Sequence, residues 1–561
     1  MFSLDQAVRH LVSSEADISI VVQYYYPPRF QIESREESIL HGNERDHLGY
    51  SSSRLLFQKI LQTLFCHVGT FTVFCEEFHV DPNYRDSYYS YFSNQHFNIS
   101  RFSRRLTFFL GDWLVPNVFS ARYAEALGKS FLGTCVIYPT EAQTIGRVLF
   151  DPRYLVEYPC TLRTTKYSIT VYGIRLKVCA FPFQMQDRET TRCAEVTLLN
   201  ILDYYGNSYS DYRAYKPSEI IAVEEKFNAD RTLPARGSNY FTMSKLLTTF
   251  GFKPRLYGRD AMVDLEGSAD DEEANDRKDV QIHRILHYYI ESGIPVATNV
   301  AVRGNYNIPG HSIICIGYAE KGNGLDTTDV ETWNEEKAFT LGDQISDGPR
   351  LINSADYYGK YVVIDDNQLP YSIRRFEELS LHEGLQVEYL LVPLYKRMFL
   401  EAADAYDVVV SVLKDSRLGL MSRVSEKDLD ESIVIRLFLA SSRTFKNFRI
   451  MNGDMQQQWY RDLYGAMPLP RFVWVAELYK KSVYEDQGDM AFGEIVLDAT
   501  SATKSDIKSV IMVNYPEAIS VRAPDEPIQV LNQIVKGVTL KPFPKFIGNL
   551  RSIEPSISET L

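Results

Sequence analysis

The chain has little cysteine: 7 in 561 residues, an odd number at irregular spacing. That argues against a disulfide framework and fits reduced thiols in a reducing compartment. It has no apolar run long enough to cross a bilayer. The longest, Ile60 to Cys75, is broken by Gln62, Thr63, His67, Thr70 and Thr72 and falls short of the ~20 residues a span needs. It lacks both a Gly-x-Gly-x-x-Gly turn and a phosphate-binding Gly-Lys-Ser/Thr loop, so no motif supports nucleotide binding. It also lacks positive charge: Lys+Arg 60 against Asp+Glu 73 gives −13, which argues against general affinity for nucleic acid or an anionic membrane. Met1-Phe2-Ser3-Leu4-Asp5 is not the cationic-then-apolar start of a secretory leader. A cytoplasmic protein is the expectation.

Metal spacing is missing too. His283 and His287 stand four apart, but Arg284 occupies the place where a His-Glu-x-x-His zinc site carries glutamate. Cys66, His67, Cys75 and His79 have no zinc-site spacing. No cofactor and no metal are expected.

What is present is a set of groups suited to thiol chemistry. Gln186-Asp187-Arg188-Glu189-Thr190-Thr191-Arg192 is a polar run that feeds Cys193. From there Ala194, Leu198, Leu199, Ile201, Leu202 and Tyr205 keep the spacing of a helix with one buried face, and Gly206-Asn207 offers a stop. Cys193 therefore opens a helix, where free N–H groups and the positive dipole end favour a thiolate. Gly293 to Val302 and Ser312 to Tyr318 read as strands about an Asn307-Ile308-Pro309-Gly310 turn, with His311 at the junction. Tyr361-Val362-Val363-Ile364 is a further strand that runs into Asp365 and Asp366. Nucleophilic thiol catalysis needs such a set: a thiolate, an imidazole to move the proton, a carboxylate to orient the imidazole, and an amide at the oxyanion.

These three segments resemble a papain-like cysteine peptidase domain. They are most similar to the bacterial branch that contains bacteriocin-processing, double-glycine leader peptidases. The resemblance rests on the glutamine, on Cys193-Ala194 opening a helix that ends in Tyr204-Tyr205-Gly206, on Gly293-Ile294-Pro295-Val296, on Gly310-His311 with Gly317-Tyr318, and on the strand ending in Asp365-Asp366. It implies Cys193 as nucleophile, His311 as general base and acid, and Gln186 in the oxyanion hole. Asp366 is the favoured orienting acid, with Asp365 as the alternative. Three departures stand out. Gln186 lies seven residues before the cysteine with Gln184 competing, Asn367 replaces the usual proline, and 55 residues separate His311 from Asp366. The resemblance implies a protein or peptide substrate cleaved at a peptide or isopeptide bond. Thioester-based acyl transfer, or an inactive papain-like binding module, is the alternative.

Length predicts several domains. An α+β architecture is expected, with a central papain-like unit over 179–395 flanked by α+β units at 1–178 and 396–561. Either flank could receive a protein partner. Acidic insertions near 264–279 and 320–360 read as surface loops, and Leu540 to Leu561 as an extended arm. In the N-terminal flank, Ser51 to Phe65 reads as a helix. Phe131 to Ile137 and Ile145 to Phe150 read as strands, and Tyr167 to Val178 as one strand bulged at Gly173.

Overall fold

A computed structural model describes residues 21–23, 48–113, 115, 117–140, 142–227, 238–259, 272–302, 310–319, 343–345, 348–379, 385–424, 429–452, 458–486, 488, 490–502, 507–516, 518–522, 532–536 and 542–556. The architecture is α+β with several sheets. Among the described residues no helix is long and apolar enough to cross a membrane.

At the centre lies an antiparallel sheet in the order Ser372–Arg375, Lys360–Ile364, His311–Ala319, Val296–Val302, Leu385–Val392, Arg255–Gly258. Both of its faces are covered. Helix Cys193–Ser208 packs on one, where Leu198, Leu199 and Leu202 share a core with Ala297, Ile314, Ile316 and Val362. Helix Glu272–Glu291 packs on the other, where Leu286 and Tyr289 meet Ile313, Cys315 and Val363. Burial on both sides explains why Ser312 to Tyr318 is buried without interruption and shows no alternation in the sequence.

The flanks are tied into this centre. Strand Cys160–Leu162, from the N-terminal third, pairs with Gly317 to Ala319. Only glycine permits that approach, because a Cβ at Gly317 would sit 2.3 Å from the Thr161 carbonyl oxygen. Arg551–Ile553 then pairs with Cys160–Leu162, so this part of the expected arm is a strand of the central sheet. A five-stranded meander precedes it, Val21–Gln23, Phe71–His79, Ser103–Leu110, Phe131–Ile137 and Ile145–Phe150. Helix Leu48–Val68 lays Leu56, Ile60 and Leu64 on that meander. The C-terminal sheet runs through Ile433–Ser441, Phe472–Lys480, Gly493–Asp498 and Val510–Tyr515.

Three expectations are corrected. Tyr167 to Val178 is a hairpin, Thr165–Val171 with Ile174–Ala180, and not a bulged strand. Its turn residues Tyr172 and Gly173 have φ of 44° and 84°, the sign a type I′ turn requires at both positions. In the first acidic insertion, 260–271 lies outside the described residues, and Glu272 to Asp279 is helix, not loop. Acids near a helix N-terminus complement its dipole, while Val280, Ile282 and Leu286 bury the following turns. In the second insertion, 320–342, 346 and 347 lie outside the described residues. Its remainder is packed: Arg350–Asn353 pairs in parallel with Ile433–Ser441, and Leu351, Ile352 and Ala355 are buried. An apolar pair is too short to show a period, and its covering comes from a strand some eighty residues away.

Candidate active site

Cys193 is the first residue of its helix, with Arg192 as the preceding extended residue. The loop before it is organised by one carboxylate. Asp187 Oδ1 accepts the backbone N–H groups of Glu189 at 3.0 Å, Thr190 at 2.8 Å and Thr191 at 2.8 Å, while Thr190 Oγ1 donates to Oδ2. That nest accommodates Arg188 at φ 64°, a left-handed conformation rarely taken by a long side chain. Glu195, in the first helical turn, reaches back to accept the Arg192 N–H at 3.0 Å. One turn past the cysteine, Thr197 Oγ1 donates to the Ser312 carbonyl at 3.3 Å and pins this helix to the histidine strand.

His311 is the first residue of its strand and keeps a quarter of its side chain exposed. Its Nε2 lies 2.8 Å from Asp365 Oδ1 and 3.7 Å from Asp366 Oδ1. The Cys193 side chain lies close enough to the same imidazole to raise its pKa further. With Nε2 committed to Asp365, Nδ1 is the nitrogen left to face sulfur. The other oxygen of Asp365, Oδ2, accepts Arg374 Nη2 at 2.7 Å, and Arg374 Nη1 donates to the Leu379 carbonyl at 3.2 Å.

The electrostatics follow from burial and pairing. Desolvation works against charge on His311, but the Asp365 carboxylate outweighs it and raises the imidazole pKa well above its usual value. Asp365 is also desolvated, yet His311 and Arg374 hold its carboxyl well below the ordinary range. Asp366 goes the other way: burial and the neighbouring Asp365 charge push it up, against His311 and the Gln186 backbone N–H.

The structure thus brings Cys193, His311, Asp365 and Asp366 together, but with the two acids in the opposite order of preference to that expected. Asp365, not Asp366, bonds the imidazole. The strand ends at Ile364, so both aspartates sit in the turn that follows, where alternation of faces no longer applies and both can approach the ring. Gln186 is half-buried and touches Asp366 through its backbone. Gln184 is buried, and its Oε1 accepts Asn83 Nδ2 at 3.1 Å. His283 and His287, expected not to bind metal, are buried in aromatic surroundings: His283 Nε2 meets the Tyr358 carbonyl at 2.7 Å, and the His287 ring stacks on Tyr358.

Sequence reading missed three residues. Arg374 had a weak signal, a cation nine positions after an acid across a hairpin. Thr197 is a helix-interior threonine with no distinguishing pattern. Tyr240 lies near enough to Cys193 for a thiolate charge to raise its phenol pKa further, beyond the main effect of burial. It stacks on Tyr389 at 4.9 Å, and together they place an aromatic wall near the thiol.

No protein-family model, no curated protein and no solved structure matches the chain.

Proposed function

We propose that this chain is a thiol hydrolase with a papain-like central unit, cleaving a peptide or isopeptide bond through a thioester on Cys193. One observation carries the reading: an imidazole held by a buried carboxylate on one nitrogen, beside a thiol that opens a helix and acts on the imidazole's pKa. His311 takes the thiol proton as sulfur attacks the carbonyl carbon. The oxyanion is stabilised by the backbone N–H of Cys193, one of the first-turn donors that a helix leaves without an intrahelical partner, and by a glutamine amide, Gln186 or Gln184. His311 then passes the proton to the departing amine, leaving the acyl group on sulfur. In the second half, His311 takes a proton from water, hydroxide adds to the thioester, and the carboxylic acid and thiol are released.

Asp365 keeps the ring in the tautomer and orientation that both halves need, and its charge favours the imidazolium. Tyr240 and Tyr389 suit an extended polypeptide with an apolar or small side chain beside the scissile bond. The test is pre-steady-state acylation by an activated ester. A burst of one equivalent, mapped by mass spectrometry to Cys193 and lost in Cys193→Ala and His311→Ala, is the expected result. An adduct on another cysteine, or a wild-type burst in His311→Ala, refutes the reading.

A further inference from the structure

We propose that the corner made by His311, Asp365 and Asp366 also binds a divalent transition-metal cation of the Zn²⁺ class, and that metal occupation and acid–base use of His311 exclude one another. The ligand atoms, His311 Nε2 and one oxygen from each aspartate, all lie within 4.8 Å of one another. Nε2 stands 2.8 Å from one carboxylate oxygen and 3.7 Å from the other. Bonds of about 2.1 Å to a tetrahedral cation put neighbouring ligands about 3.4 Å apart, so the two spacings straddle what a metal demands.

The surroundings fit as well. Arg374 occupies the outer oxygen of Asp365 and leaves Oδ1 directed at the imidazole, the kind of outer support that orients a ligating carboxylate. Asp366 Oδ2 is buried, in a side chain only 3% exposed, and has no hydrogen-bond partner among the described residues. A buried carboxylate oxygen with no donor is costly, and a cation would satisfy it. The partly exposed ring gives a route from solvent, and a water can fill the fourth position.

A cation on Nε2 takes the nitrogen that Asp365 uses to orient the ring, and its charge opposes protonation of the imidazole. The relay then stops. This inhibitory half rests on the thiol-hydrolase reading, whereas binding itself does not.

The test uses the full chain as Cys193→Ala, stripped with chelator, so that the thiol is neither ligand nor readout. Co²⁺ added near neutral pH should give one site with visible d–d bands lacking sulfur charge transfer, and Zn²⁺ should displace it. His311→Ala and Asp366→Asn, placed in that background and checked for fold by circular dichroism, should each weaken binding by ~10-fold or more. In the wild-type chain, Zn²⁺ should suppress the acylation burst and a chelator should restore it. Absence of Co²⁺ uptake at millimolar metal, or unchanged affinity in both variants, overturns the site. Metal uptake that leaves the burst intact overturns the exclusion. A chain that binds metal at this corner but never acylates supports the site and removes the hydrolase reading.

Discussion

A hydrogen bond between Thr197 and Ser312 ties the Cys193 helix to the His311 strand. Thr197 is one helical turn beyond Cys193, Ser312 is the residue after His311, and the threonine hydroxyl donates to the serine carbonyl at 3.3 Å. Thr197→Val keeps the shape and removes the bond. Melting should shift by about 1 kcal/mol. If the bond sets the thiol–imidazole approach, kcat should fall by ~10-fold or more with KM little changed. An unchanged kcat would show that packing alone positions the helix.

Among the seven cysteines, selective alkylation near pH 6 should find Cys193 first. Cys135, Cys160 and Cys315 are fully buried, and burial pushes the Cys75 and Cys315 thiols up to about 12. Cys66 is exposed and is the competitor to watch. His311→Ala should slow labelling of Cys193 and leave Cys66 unaffected. Equal slowing at both would mean that His311 does not act on the thiol.

Asp365→Asn should be the severe mutant, lowering kcat/KM by ~10³-fold or more, whereas Asp366→Asn in metal-free buffer should lose less. Asp365 raises the imidazole pKa, so its removal should also move the alkaline limb of residual activity to lower pH. A limb that stays in place in Asp365→Asn would detach that limb from His311.

Arg374→Met leaves Asp365 a buried carboxylate with one partner fewer. A destabilisation of about 3 kcal/mol is expected, with a fall in kcat as Asp365 turns from the ring. Arg374→Lys restores charge but not the fork to the Leu379 carbonyl, and should recover only part of both. Wild-type kcat in Arg374→Met would make the arginine purely structural.

Stability should fall between about pH 6.5 and pH 4. Burial depresses the pKa of His287 to about 4 and of His283 to about 3. The unfolded chain protonates both near pH 6.5. Acidification through that window therefore favours the unfolded state, by an amount on the order of a few kcal/mol. Thermal melts against pH should show this slope, and His287→Phe should make it shallower. An identical slope in the variant would assign the acid sensitivity to other groups.

Local pattern carried the elements whose burial has a period. The cysteine helix, Cys193–Ser208, shows its apolar stripe, and Ile433–Ser441 and Phe472–Lys480 show apolar runs of strand length. The pairing of Cys193 with His311 was legible because a helix opening and a strand opening each constrain where one side chain can point. The choice between Asp365 and Asp366 was not, since it depends on where strand Lys360–Ile364 stops, and cross-strand pairing decides that. Arg374 is invisible for the same reason: its meaning lies in a carboxylate brought to it by a hairpin. Arg350–Asn353 and Arg551–Ile553 became strands only through partners remote in sequence. The sequence by itself determined the chemistry available and the helix and strands that carry it. Tertiary structure alone decided which acid meets the imidazole and how the flanks close on the centre, because those contacts join segments with no local pattern in common.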